Sequence, residues 1–153
     1  MTNPPQLELG GLCAKPLALA YADLARLPAD AQVPDVSKVV PGRSGRAVKL
    51  AALRALAGER SGAQFLDVQS SDPAFAVSVP IAEVRDAIVV YELDGRPLSP
   101  WKGGPFRFLV PGHADECVNV KQLARLVLGA ARGRDTRPAD DAEHAKLHAK
   151  KPS

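Results

Sequence analysis

The sequence has little of what a disulfide framework, a nucleic-acid surface or a membrane span needs. Its two cysteines, Cys13 and Cys117, are far apart and form no CxxC motif, so neither a stapled scaffold nor a thiolate zinc site is indicated. Aromatic residues make up 5% of the chain, and no basic stripe is interleaved with them as in nucleic-acid-binding proteins. No uncharged stretch approaches the roughly 20 residues of a membrane span. We therefore expect neither a nucleic-acid nor a membrane partner.

The start of the chain also lacks the basic and apolar regions of an export signal. We expect a cytoplasmic protein, although a chain whose signal had been removed would begin in the same way. Lysine and arginine number 20 against 17 acidic residues, which gives a net charge of +3. An apolar content of 46% over 153 residues is enough for one ordinary core.

Apolar periodicity predicts an α+β domain that is mostly β-sheet with a few short helices. Alternating apolar residues predict strands around residues 7–12, 17–19, 65–68, 75–79, 88–93 and 106–110. Helical spacing predicts helices over residues 21–27 and 48–57, the second capped by Gly58, and Pro80 opens a further short helix. Residues 123–128 form an amphipathic segment that ends at Gly129.

The composition changes after Gly129. The last 24 residues, 130–153, contain one large aliphatic residue, Leu147, among charges and alanines, so we expect a disordered tail after a domain formed by residues 1–129. Shortening the chain after Gly129 should then leave its stability almost unchanged. In this tail His144 and His148 have the i, i+4 spacing of two metal ligands on one helix face, but no nearby residue completes a site.

One constellation of residues resembles a signature of the sulfite oxidase family, which includes plant-type nitrate reductase and bacterial sulfoxide reductases. The most specific part is Gly103-Gly104-Pro105-Phe106-Arg107, which follows the strand and turn of residues 88–98. Val120-Lys121 matches a downstream element, and Val48-Lys49-Leu50 is similar to the start of the family's first long helix. The similarity covers about residues 8–129 and implies a sulfite-oxidase-like molybdopterin-binding fold.

The resemblance also implies a ligand site. In the family the regions that match Arg107 and Lys121 lie against the pterin and its phosphate, and a guanidinium suits phosphate oxygens well. The alternative is a tight turn with a solvated arginine. Arg43 and Arg46 lie in a glycine-containing loop that could bind an anion through guanidinium and N–H groups, or both could be solvated. The loop is not a Walker motif, because the Lys-Ser/Thr pair is missing.

Two further residues are candidates with alternatives of their own. His113 follows Pro111-Gly112 and could contact a ligand in the same cleft, or it could simply be exposed. Trp101 could line the mouth of the pocket, but we favour a position that caps the core.

Relatives in this family anchor molybdenum through a cysteine in the loop before the first long helix. The matching residues 37–41 are Ser-Lys-Val-Val-Pro, none of which replaces a thiolate, so we expect no metal ligand and assign no catalytic residue. The resulting hypothesis is a domain without redox activity that binds a pterin or another anionic ligand. Two alternatives stay open: a molybdenum-dependent oxidoreductase with an unconventional metal site, and a structural or protein-partner-binding domain.

Overall fold

The computed structural model describes residues 4–137, which form ten strands and two α-helices. In chain order the elements are β1 (Gln6–Gly11), β2 (Leu17–Ala20), α1 (Tyr21–Ala25), β3 (Gln32–Val33), β4 (Arg46–Lys49), α2 (Leu50–Ala57), β5 (Phe65–Ser70), β6 (Ala76–Pro80), β7 (Ile88–Leu93), β8 (Arg96–Pro97), β9 (Arg107–Leu109) and β10 (Leu123–Gly129). Short 3-10 turns lie between several of them. The expected mostly-β architecture with few helices is confirmed.

The strands form two sheets that share one core. The first sheet has the order β2-β1-β10-β5-β6, and all its pairs are antiparallel except the parallel pair of β1 with β10. In the second sheet β7 pairs with β4, β8 and β9, and β3 pairs with β4. The predicted hairpin of residues 65–79 is present as β5 and β6.

Helix α2 forms because its sequence is made of good helix formers with one apolar face. Leu50, Leu53 and Ala57 recur at helical spacing, and all three are buried. Gly58 ends the helix with a φ of 70°. Glycine adopts this left-handed conformation readily because it has no Cβ that would clash with the backbone. The helix begins two residues later than the sequence predicts, because Arg46–Lys49 is a strand.

Strand β7 is buried on both faces and separates two apolar clusters. Val89 and Tyr91 belong to the main core between the sheets, whereas Ile88 and Val90 belong to a smaller cluster on the opposite face. This alternation is the two-residue period of a strand. The smaller cluster forms the floor of the candidate site.

The amphipathic segment before Gly129 is the central strand β10 of the first sheet. Leu123, Leu126 and Leu128 are all buried, although an interval of three residues cannot keep side chains on one face of a regular strand. The register shifts between Leu123 and Arg125. This β-bulge accommodates the extra residue and explains the helix-like spacing.

Hydrogen bonds to the first sheet continue beyond Gly129. Residues 132–137 lie along the outer edge of β6: Thr136 N–H donates to the Ala76 carbonyl at 2.7 Å, and Ser78 N–H donates to Asp135 Oδ2 at 3.0 Å. Arg132 and Arg137 both donate to the Ser78 carbonyl. Residues 132–137 are therefore bonded to the edge strand through backbone and polar side-chain groups, which add no apolar surface and leave no signal in the composition. Residues 138–153, which include His144, Leu147 and His148, lie outside the described residues.

Trp101 is another correction. It does not cap the core, since 95% of its surface is exposed on the 3-10 turn Pro100–Lys102. The neighbouring Leu98 and Phe106 are buried instead. Within residues 4–137, neither helix has the length and apolar character that a bilayer crossing requires.

Candidate functional site

A pocket of about 420 Å³ opens beside the second sheet, on the face of the smaller cluster. Its apolar floor includes Val90 and Leu109 from neighbouring strands. Three cationic residues line it: Arg43, Lys102 and Arg107. We call it the cation pocket. Its volume lies within the range of about 300–1,000 Å³ that is usual for small-molecule sites.

The Gly103-Gly104 turn and strand β9 place Arg107 in this pocket. Phe106 and Phe108 are buried in the main core, so the two-residue period directs Arg107 to the opposite face. Gly103 has a φ of 87°. A Cβ on Gly104 would lie 1.9 Å from the Leu98 carbonyl oxygen, so this close approach admits only glycine.

The guanidinium of Arg107 is poorly satisfied. Its Nε is buried and has no hydrogen-bond partner among residues 4–137. Burial lowers the pKa of Arg107 below its ordinary value, and the positive charge of Arg43 lowers it further. Because arginine keeps its proton in proteins, Arg107 carries a positive charge at a position where burial and Arg43 both disfavour it.

The other two cations come from loops on either side. Arg43 lies with Gly42 and Ser44 in the loop before β4, and Lys102 lies in the 3-10 turn before Gly103. In the described part of the chain, no carboxylate forms a salt bridge with Arg43, Lys102 or Arg107, although Asp94 also lines the pocket. The pocket thus contains three positive charges, and Asp94 forms a salt bridge with none of them.

Lys121 lies next to Arg107 but lines a different pocket. A Cβ on Gly103 would lie 3.2 Å from Arg107 Cδ and 3.3 Å from Lys121 Cγ, so both side chains pass over this glycine. Hydrogen bonds between the backbones of Phe108 and Val120 bring the two segments together. Lys121 then borders a second pocket beside Phe75, which we call the Phe75 pocket.

Arg46 and His113 lie away from the cation pocket. Arg46 Nε donates to Gln32 Oε1 at 3.2 Å, and Tyr91 donates to the same oxygen. His113 lies with its Nε2 3.2 Å from Glu83 Oε1, while its Nδ1 accepts from Asp115 N–H. Neither side chain lines the pocket, so of the five cationic or histidine candidates from the sequence only Arg43 and Arg107 share it.

The residues of the pocket do not suit a soft metal centre. Residues 37–41, where the resemblance places the family's cysteine, supply no thiolate. Cys13 is buried in the main core, and Cys117 is exposed at the Phe75 pocket. Between residues 4 and 137 no group of three His, Cys, Asp or Glu side chains could hold a metal ion.

Sequence reasoning missed Lys102 and Ser44 as lining residues. Lys102 directly precedes the Gly103-Gly104 turn, so its position next to the most specific motif was the signal that could have found it. Ser44 lies between the two arginines of the loop and had no distinguishing feature of its own.

The two-sheet fold and the glycine turn that positions Arg107 agree with the fold that the sequence resemblance implies. The family model for the oxidoreductase molybdopterin binding domain matches residues 44–135. The chain therefore belongs to this family. The matched region ends at residue 135, within the segment on the edge of β6.

Among solved structures, the chain is similar to the sulfane dehydrogenase SoxCD from Paracoccus pantotrophus, with 22% identity and a TM-score of 0.64. The alignment covers 84% of this chain and 39% of that chain, so the protein spans about two-fifths of its structural neighbour. This likeness shows the sulfite-oxidase-like fold. No curated protein matches the sequence.

Proposed function

We propose that this chain is a member of its family without redox activity that binds a small anionic ligand in the cation pocket. The phosphate of a pterin is the foremost candidate. The observation that carries the proposal is Arg107 Nε, a buried donor without an acceptor in the described residues. An unmatched buried donor costs about 1–3 kcal/mol, more when it is charged, and an anion oxygen would remove that cost.

The geometry of the pocket supports a phosphate-like ligand. A guanidinium presents a planar fork of donors that matches two phosphate oxygens. Arg43 and Lys102 add positive charge from the two flanking loops. Clustered cations repel one another unless an anion lies between them. A bound phosphate would therefore offset both the cost of burying the Arg107 charge and its repulsion from Arg43.

The donor set does not suit the metal of the family's cofactor. When bound, that cofactor supplies redox chemistry at its metal, which relatives hold with a cysteine thiolate. The loop before β4 has no cysteine, and the two thiols of the chain lie in the core and at the Phe75 pocket. We therefore favour a binding protein over an oxidoreductase.

Two measurements test the proposal. Phosphate and sulfate should raise the melting temperature more than chloride at equal ionic strength, because a ligand that binds only the folded state stabilises it. Arg43→Met should abolish most of this increment, whereas Arg46→Met, at the start of β4 and outside the pocket, should retain it. An increment that survives Arg43→Met but disappears in Arg46→Met would place the anion elsewhere.

Elemental analysis decides the redox half of the proposal. Protein purified from a host that makes the cofactor should contain far less than one molybdenum per chain. About one molybdenum per chain would instead support the alternative of an oxidoreductase whose metal is held by the pterin dithiolene without a protein thiolate. Replacing Cys13 and Cys117 in turn would then identify any unconventional protein ligand.

Trp101 favours a second candidate function, the binding of a protein partner beside the cation pocket. An indole that is 95% exposed is unusual, and tryptophan is enriched among the residues that dominate binding energy at protein interfaces. It is the only tryptophan of the chain, so its fluorescence can be followed directly. A partner that docks here should shield the indole from acrylamide, and Trp101→Ala should weaken that complex without changing the response to phosphate.

A further inference from the structure

The Phe75 pocket is larger than the cation pocket and has a different character. Its volume is about 620 Å³. It lies between the end of the β5–β6 hairpin, the segment of residues 117–122 and residues 136–137. Arg107 and Lys121 both pass close to Gly103, but Arg107 lines the cation pocket and Lys121 lines the Phe75 pocket.

Apolar side chains form much of the wall. Phe75, Val77 and Val120 line the pocket together with Ala74 and Ala76. Val77 and Val120 are buried, but 60% of the Phe75 surface is exposed. A phenyl ring that stands beside a cavity of this size without filling it gives an apolar ligand a surface to cover.

Of the two cationic residues in the wall, only one has a salt-bridge partner among the described residues. Arg137 is paired twice, with Asp135 Oδ2 at 2.7 Å and with Asp115 Oδ2 at 3.0 Å. Lys121 is exposed and forms no hydrogen bond or salt bridge with any residue from 4 to 137. Its stem rests against Gly103, so the ammonium extends from an anchored base. The wall therefore has one ammonium that is available to a negatively charged ligand.

The polar end of the pocket is held in place by the backbone. Gln122 has a φ of 52°, a strained conformation for a residue with a side chain. It is fixed by its N–H bond to the Gly103 carbonyl at 2.7 Å and by the Ser71 N–H bond to its own carbonyl at 2.8 Å. Asn119 Oδ1 accepts from Val110 N–H, which leaves the amide NH₂ to donate to a ligand. A rim that offers one ammonium and one amide donor on this fixed backbone suits a carboxylate.

We propose that the Phe75 pocket binds a small amphipathic carboxylic acid. The carboxylate lies at Lys121 and Asn119, and the apolar body packs against Phe75, Val77 and Val120. A monoanion fits because only one cation lacks a counter-charge, and the apolar wall selects an organic acid over an inorganic anion. This site is separate from the cation pocket and does not depend on phosphate binding there.

Octanoate is a suitable probe for calorimetric titration of the full chain, with octanol as its uncharged counterpart. Octanoate should bind at least ten times more tightly than octanol. Lys121→Met keeps the stem but removes the charge, and it should weaken octanoate binding at least tenfold. Lys102→Met removes a lysine of the cation pocket and should leave octanoate binding unchanged.

Cys117 provides an independent readout because its exposed thiol lines the Phe75 pocket, whereas Cys13 is buried. Saturating octanoate should slow alkylation of Cys117 by iodoacetamide several-fold. Equal affinity of the wild type and Lys121→Met for octanoate would overturn the proposal. So would octanol binding as tightly as octanoate, or a Cys117 alkylation rate that octanoate does not change.

Discussion

Arg43 and Arg107 line the same pocket, and the charge of Arg43 contributes to lowering the pKa of Arg107, after the larger effect of burial. Two cations that disfavour each other reduce the stability of the folded state unless another interaction offsets the cost. Within residues 4–137 no carboxylate pairs with either of them. This relationship supports the proposal that the pocket binds an anion, together with the unpaired Nε of Arg107.

Arg107→Met should therefore raise the melting temperature in anion-poor buffer or leave it unchanged. Methionine fills a similar volume and removes a buried donor that has no acceptor, and replacing an unsatisfied polar group with an apolar one is neutral or stabilising. The same variant should lose the stabilisation by phosphate. Thermal melts with and without phosphate measure both effects. A melting temperature more than about 5 °C below that of the wild type, which corresponds to a loss of about 1–2 kcal/mol for a domain of this size, would show that Arg107 supports the fold instead.

The sequence predicts the fold well where a local pattern has one physical cause. Strand β7 is a continuous apolar run bounded by the Asp94-Gly95 turn, and α2 combines helical spacing with a glycine cap. Strand β10 was harder because its β-bulge gives a spacing of three that resembles a helix. The bulge arises from the pairing of β10 with β5, which is distant in the sequence, so no pattern within residues 123–129 reveals it.

The candidate site was only partly accessible from the sequence. The Gly103-Gly104 motif identifies Arg107, because a glycine turn and strand alternation fix its direction. Arg43 and Arg46 look equivalent in the sequence, yet Arg46 belongs to a strand and reaches Gln32, whereas Arg43 remains in the loop. The position at which a strand begins therefore decides which arginine lines the pocket.

Gly104→Ala should destabilise the turn that positions Arg107. The added Cβ would lie 1.9 Å from the Leu98 carbonyl oxygen and 2.8 Å from that of Ser99, so the backbone must shift. Such overpacking costs about 1–3 kcal/mol. Gly10→Ala is the matched control, since nothing lies within 4 Å of its Cβ and its φ is not positive. Chemical denaturation should show a loss for Gly104→Ala that clearly exceeds that of the control.

Two shortened chains test where the domain ends. Removing residues 138–153 should leave the melting temperature nearly unchanged, because this stretch contains one large aliphatic residue, Leu147, and offers little apolar surface to bury. Removing residues 130–153 deletes the bonds of Thr136 and Asp135 to β6 and exposes the backbone of that edge strand. We expect a cost of about 2–3 kcal/mol from the lost hydrogen bonds, which corresponds to a drop on the order of 10 °C. Equal melting temperatures of the two chains would show that residues 130–137 contribute little.

Asp135 gives the β6 edge a dependence on pH. Burial raises the pKa of its carboxyl, but the hydrogen bonds from Arg137 and Ser78 N–H outweigh this effect and hold the pKa below its ordinary value. A carboxyl whose pKa is lower in the folded state than in the unfolded state stabilises the protein at pH values above the unfolded-state pKa, which is about 3.9 for Asp. That contribution is lost as the pH falls through the lower, folded-state pKa.

Asp135→Asn should consequently destabilise the protein by about 1–3 kcal/mol at neutral pH, because Asn keeps the shape but removes the charge that pairs with Arg137. The difference from the wild type should shrink below about pH 4 and approach zero once Asp135 itself is protonated. Asp94→Asn is the control, since Asp94 is exposed and forms none of the salt bridges found in residues 4–137. Thermal melts of the three proteins across the acidic range measure this convergence. A difference between wild type and Asp135→Asn that stays constant down to about pH 2 would mean that the side chain stabilises β6 through its shape and not through its charge.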